Sequence, residues 1–250
     1  VDVVGHSMGG LMARGFVQQT DYKNQTNYMH GYIHRLITIG TPHYGGHLAK
    51  ILLVHQSDKY CVVNGLFILT EQKCDNKPLE SLKDIFDLRY NSPIDGGGVE
   101  ALAPGSKAYS NMCQTNISSY AIGGIWGPKA NNSHKFIEWM YSNITGNPNF
   151  DLDINGFNGT DHGNNDLQVN ITSQLGGLPI HFKIPNSTSP LNQSEVYNNT
   201  IHYPSLKIDR DISSELDSYD IQQDVIRLLH LSQDKFAPAI GMGSPCKVPK

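Results

Sequence analysis

The sequence predicts an α/β domain with a mostly parallel sheet and flanking helices. Three observations carry that expectation. The chain opens on a β-branched run, Val1-Asp2-Val3-Val4; a glycine-rich turn, Gly5-His6-Ser7-Met8-Gly9-Gly10, leads into a helical pattern of Leu11, Met12, Phe16 and Val17; and a second apolar run, Arg35-Leu36-Ile37-Thr38-Ile39, closes on Gly40-Thr41-Pro42. Strand, helix and strand in that order make a parallel βαβ unit, because a helical crossover returns the chain in its original direction.

The remaining elements follow in order. Val1–Val4 is apolar on both faces and reads as a buried strand, and the polar stretch Thr20–Asn27 separates the first helix from the second strand. Leu48–His55 has amphipathic helical spacing, the Cys61–Cys74 segment contains Leu66-Phe67-Ile68-Leu69, and Leu82–Arg89 is a further apolar piece. Pro and Gly at Ser92–Gly98 and Ala103-Pro104-Gly105 then interrupt the chain before a third strand, Ser119–Gly124. Residues from about 46 to 118 therefore read as a lid-like insertion, since long excursions between sheet strands are usually functional. Ser133–Ser142 is a short helix by its pattern, Asn143–Thr200 reads as long loops with an extended piece at Pro179–Ile184, and Ser218–Ser232 is a closing helix. In that helix Ile221, Val225, Leu228 and Leu229 share a face, with acids early and Arg227 and His230 late, as the helix dipole favours. Residues 1–250 read as a single domain.

Composition excludes two classes of partner. With 19 basic against 23 acidic residues, a net charge of −4 and no Lys/Arg cluster, the chain lacks the footprint of a nucleic-acid binder. No apolar run approaches the roughly 20 residues that a membrane-spanning helix needs. The cysteines Cys61, Cys74, Cys113 and Cys246 have no Cys-x-x-Cys spacing, which argues against a zinc site and leaves two disulfides or four buried thiols. Asn-x-Ser/Thr triplets begin at Asn24, Asn116, Asn131, Asn143, Asn158, Asn170, Asn186, Asn192 and Asn198, against about three expected by chance. The excess favours a secreted glycoprotein; an Asn-rich genome is the other reading. Secretion would make Cys61–Cys74 a plausible short-loop disulfide.

The chemistry concentrates at Gly5-His6-Ser7-Met8-Gly9, a Gly-x-Ser-x-Gly motif between a strand and a helix. A sharp turn there lifts the serine hydroxyl clear of the sheet edge, flanking glycines remove Cβ atoms that would meet neighbouring backbone, and the Met8 amide points where an oxyanion would develop. The run Val-Val-Gly-His-Ser-Met-Gly-Gly-Leu-Met-Ala-Arg resembles the nucleophile elbow of α/β-hydrolase lipases and esterases. Ile39-Gly40-Thr41-Pro42-His43-Tyr44-Gly45-Gly46 is similar to the Thr-Pro-His segment after the next strand in that family, clearly over Val1–Ala49 and again near the C-terminal third.

The resemblance implies an α/β-hydrolase fold and a Ser, Asp/Glu, His order along the chain. Three histidines follow the candidate acids. His230 lies in the closing helix, where capping explains it, and His181 lies in an alternating apolar piece, where packing does; His202, on a loop before that helix, is the candidate base. Asn165-Asp166-Leu167-Gln168-Val169 and Ser173-Gln174-Leu175-Gly176 are similar to the segment carrying the catalytic aspartate of bacterial-type lipases, with Leu167 in place of a glycine. Asp166 is the candidate acid and Asp161 the reserve. His6 and His43 are expected as walls of the site, and Leu48, Ile51, Leu52, Leu66, Phe67 and Leu69 could line an acyl pocket or simply fill the core.

The expected activity is hydrolysis of carboxylic esters, of lipids foremost, with no cofactor and with peripheral contact to lipid surfaces. Glycerolipids, simple esters and acylated lipid-anchor inositols are all open. The competing expectation is a non-catalytic binding module or an incompetent fragment on the same fold. Asp151-x-Asp153-x-Asn155-Gly156 matches the first half of a calcium loop, but its twelfth position is His162, so an Asx-rich turn explains it equally. The family's sheet builds several strands before the elbow, including the loop that gives the second oxyanion amide. The resemblance therefore implies that the N-terminal strands are missing and that the 250 residues alone are poorly active or prone to association.

Overall fold

The computed structural model describes residues 1–28, 30–57, 59–63, 67–69, 80–81, 97–125, 166, 168–184, 193–202 and 213–241. In chain order the elements are β1 (Asp2–His6), α1 (Met8–Val17), β2 (Arg35–Ile39), α2 (His47–His55), β3 (Lys59–Val63), β4 (Phe67–Leu69), β5 (Glu80–Ser81), α3 (Gly98–Leu102), α4 (Lys107–Ser110), β6 (Ser118–Ile125), α5 (Ile171–Leu175), β7 (Ser194–Asn198), β8 (Thr200–Ile201), β9 (Ser213–Ser214) and α6 (Tyr219–Leu228). The main sheet has the order β1-β2-β6-β7, and every pairing in it is parallel. Between β2 and β6 the chain forms α2, a separate antiparallel sheet in the order β4-β3-β5, and the short helices α3 and α4.

Strand alternation builds a layer on each side of the main sheet. Leu36 packs with Ala13 of α1, Tyr22, Ile33 and Ile117, whereas Ile37 and Ile39 pack with Tyr120, Ile122, Tyr197 and the α6 residues Ile221 and Leu228. Ala121 and Ile125 meet Ile171 and Leu175 of α5 on the α1 side. A strand covered on both faces reads as a continuous apolar run, which is why β2 is buried along its whole length and stands out in the sequence.

One expectation fails here. The segment 143–200 reads as loops, yet Ser-Glu-Val-Tyr-Asn at 194–198 is the fourth strand of the main sheet. Its polar residues are buried beside polar partners: the Tyr197 hydroxyl lies 3.2 Å from Glu195 Oε2 and within hydrogen-bond reach of Asp224, and the Lys183 ammonium lies 3.4 Å from Glu195 Oε1. The piece at Pro179–Ile184 does run extended, with Lys183 N donating to Val196 O at 2.8 Å and Val196 N to His181 O at 2.8 Å. Asn170, inside one of the glycosylation triplets, is buried and caps α5 by accepting from Ser173 N, which closes it to modification. Cys113 is disulfide-bonded. Among the described residues no helix is long and apolar enough to cross a membrane. Leu66, Cys74, Leu82–Arg89, Ser133–Ser142, Asp151, Asp153, Asn155 and Asp161 lie outside the described residues.

Candidate active site

Ser7 occupies the tight turn between β1 and α1 with φ 52° and ψ −129°, a left-handed backbone that a serine adopts only under constraint. Its amide donates to Ile39 O at 2.9 Å, which pins the turn to the end of β2. Met8 opens α1, so its amide belongs to the first helical turn, whose N–H groups have no intrahelical acceptor. The glycines around Ser7 are not equivalent. A Cβ on Gly5 would stand 2.7 Å from Gly10 N, and one on Gly10 would run into the Thr41 side chain, but one on Gly9 meets nothing within 4 Å among the described residues.

His202 reaches Ser7 from the far end of the chain. It follows β8, and its Nε2 lies 2.8 Å from Ser7 Oγ while its Nδ1 lies 2.6 Å from Asp166 Oδ2. The carboxylate can only accept, so Nδ1 carries the proton and Nε2 is left to accept from the serine hydroxyl. Asp166 is fixed by its own turn: Oδ1 accepts from Gln168 N at 2.9 Å and Val169 N at 2.7 Å, and its carbonyl accepts from His202 N at 3.0 Å.

A residue that sequence reasoning missed completes the cluster. Glu215 is fully buried, and its Oε2 lies 3.1 Å from His6 Nε2 and 3.3 Å from His202 Nδ1. The parallel pairing of β8 with β9, sealed by Glu215 N donating to Ile201 O at 2.9 Å, sets it beside His202. The His6 and His202 rings lie 4.9 Å apart. Burial opposes charge on His202, but the carboxylates of Asp166 and Glu215 and their hydrogen bonds outweigh it and push its pKa up to about 11. Burial alone would also raise Glu215; the charge of His202 and the hydrogen bonds from both imidazoles hold it below the usual carboxylate range. Burial pushes the Asp166 carboxyl up, against the pull of His202, and the Glu215 charge adds to the rise. His6, His202 and Glu215 are the one group of metal-ligating side chains close enough to share an ion among the described residues, and their mutual hydrogen bonds account for that convergence.

A family model described as "PGAP1-like alpha/beta domain" matches residues 1–88, which take in the elbow, α1, β2 and the first part of the insertion. The match covers about a third of the chain, and the described residues have an α/β fold built on a parallel sheet. Among solved structures the crystal structure of Staphylococcus hyicus lipase is similar, with 17% sequence identity, a TM-score of 0.43, and coverage of 92% of this chain and 67% of that one. No curated protein matches the sequence.

His43 takes its hydrogen-bond partners outside the Ser7 cluster and lines no open wall. It is buried to 1% exposure, with Nδ1 accepting from Arg14 Nη1 at 3.2 Å and Nε2 donating to Thr38 Oγ1 at 3.1 Å. Burial and the Arg14 charge drive its pKa well below the ordinary histidine value, so it is neutral. Arg14, itself 1% exposed, has no carboxylate partner among the described residues; Nη1 also donates to His43 O at 3.3 Å and Nη2 to Cys113 O at 3.1 Å. The pair fastens α1 to the loop after β2 and thereby the elbow to the sheet. Arg14→Met removes the donor from three buried acceptors, and urea unfolding is expected to show a loss of about 2–4 kcal/mol; an unchanged midpoint would exclude this fastening role.

Proposed function

We propose that the chain is a serine hydrolase that cleaves carboxylic esters by an acyl-enzyme route, with Ser7 as nucleophile, His202 as general base and Asp166 as its orienting acid. The observation that carries the reading is the continuous hydrogen-bonded line Ser7–His202–Asp166 on a strained elbow. As Ser7 Oγ bonds to the ester carbonyl carbon, its proton passes to His202 Nε2 and the carbonyl electron pair moves to oxygen, toward the Met8 amide. Collapse breaks the ester C–O bond, and the leaving alkoxide takes the proton from Nε2. Water then repeats the sequence on the acyl-serine and frees the acid. Throughout, Nδ1–H stays with Asp166, which stabilises the imidazolium without taking its proton.

A lipid ester is the proposed substrate class. Met8 is 48% exposed immediately after the nucleophile and Met12 67% exposed one turn on, so apolar surface borders Ser7. Peripheral contact with a lipid surface would use that border, and residues 46–118 would act as its lid. Passage through the secretory pathway fits the exposed positions of Asn116 and Asn198.

The test is covalent labelling with a fluorophosphonate. Stoichiometric modification of the folded protein, abolished in Ser7→Ala, is the expected outcome. Folded wild-type protein that takes no label would overturn the reading in favour of a non-catalytic module.

A further inference from the structure

His202 faces two buried carboxylates, and a triad needs one. Asp166 makes the shorter bond to Nδ1, 2.6 Å against 3.3 Å for Glu215, so it is the resident acceptor. Glu215 is nonetheless built into the site. Its carboxylate fills the space left by two glycines: a Cβ on Gly40, whose φ is +54°, would fall on it, and a Cβ on Gly124 would stand 3.0 Å from Oε1. Among the described residues Oε1 has no hydrogen-bond partner, so within them the side chain is held through Oε2, by His6 Nε2 and His202 Nδ1. A buried carboxylate with an idle oxygen is costly to keep. No Lys or Arg forms an ion pair with it among the described residues, so the groups that face its Oε2 are the two imidazoles.

We propose that Glu215 is a positioning residue and second acid of this site: it ties the His202 ring to His6, and its Oε2 takes over the Nδ1 proton when Asp166 is removed. The inference rests on the hydrolase reading for its consequence in turnover, but the contact itself does not. Nothing but hydrogen bonding changes in the takeover. The imidazole tilts from Asp166 toward Glu215, Nδ1–H keeps its proton, and Nε2 remains free to accept from Ser7. The electrostatic consequence is directional. Each carboxylate beside Nδ1 favours the charged imidazole, so removing Glu215 is expected to let the free base, and with it activity, appear at lower pH.

Three variants test this: Asp166→Ala, Glu215→Gln and the double variant, with fluorophosphonate labelling rate and p-nitrophenyl ester kcat/KM followed across pH. Asp166→Ala is expected to lose roughly 10- to 100-fold, and the double variant a further 100-fold or so, the range over which an orienting acid matters. Glu215→Gln is expected to shift the acid limb of kcat/KM to lower pH with a loss of less than about tenfold. Asp166→Ala as inactive as the double variant, or an acid limb unmoved in Glu215→Gln, would overturn the proposal. A second readout needs no turnover: the pH titration of the His202 ring nitrogens by NMR in wild type and in the near-isosteric Glu215→Gln. A titration that moves down supports the contact, and an identical one refutes it, whether or not the wild type is labelled. Failed labelling with a shifted titration sinks the hydrolase reading and leaves the Glu215 contact standing.

Discussion

His202→Ala is expected to reduce kcat by about 10⁴- to 10⁶-fold, in line with the loss of the base from a serine–histidine unit. Among the described residues the serine has no other base in reach: His202 Nε2 at 2.8 Å is the ring nitrogen bonded to Ser7 Oγ, while His6 directs its Nε2 proton into Glu215 and His43 is bonded to Arg14 and Thr38. An alkyl hydroxyl without a proton acceptor is a weak nucleophile near neutral pH, so labelling by fluorophosphonate should slow with turnover. The control is His43→Gln, which would move stability before chemistry. The measurement is single-turnover kinetics on variants whose circular dichroism matches wild type. A His202→Ala protein within tenfold of wild type would dismiss His202 as the base.

Gly5→Ala is expected to destabilise the protein by about 3 kcal/mol or more, and Gly9→Ala to stabilise it by about 0.5–1 kcal/mol, although both glycines belong to one motif. The added Cβ at Gly5 stands 2.7 Å from Gly10 N and 2.8 Å from Gly10 Cα, which are backbone atoms that only a shift of α1 could clear. At Gly9, inside α1, the Cβ finds open space among the described residues, and alanine simply restricts the unfolded chain and favours the helix. Since typical domains are stable by only about 5–15 kcal/mol, the first change endangers folding. Thermal melts of the two variants give the signs directly, and a Gly5→Ala melt at or above wild type would refute the packing account.

How legible each part was depends on where its determinants lie. β2 and β6 are apolar because both faces are covered, whereas β1, expected as a buried strand, lies at the edge of the described sheet with Val4 43% exposed; the elbow is legible because one turn must combine glycine, serine and a helix start within five positions. The Asp166 and His202 positions follow from the resembling segments around them, and the structure brings both to Ser7. β7 was hidden because its buried Ser194 and Glu195 take polar partners from elsewhere, which no local pattern records. Glu215 was hidden for a related reason. Its place depends on two-residue strands and on space at Gly40 and Gly124, all distant in sequence. The role of glycine in the motif was legible in kind but not in position, since Gly10 against Thr41, and not Gly9, makes the close approach.

The separations along the chain carry a further consequence. Ser7 meets His202 across 195 positions, His6 meets Glu215 across 209, and Asp166 meets His202 across 36. Contacts that close such long loops are entropically the slowest to form, whereas the βαβ unit of β1, α1 and β2 is local. A refolding chain can therefore present the elbow early and still hold an unreactive serine until β7, β8 and β9 have docked. On the proposed reading, the serine gains its base only once the topology that brings His202 to it has closed.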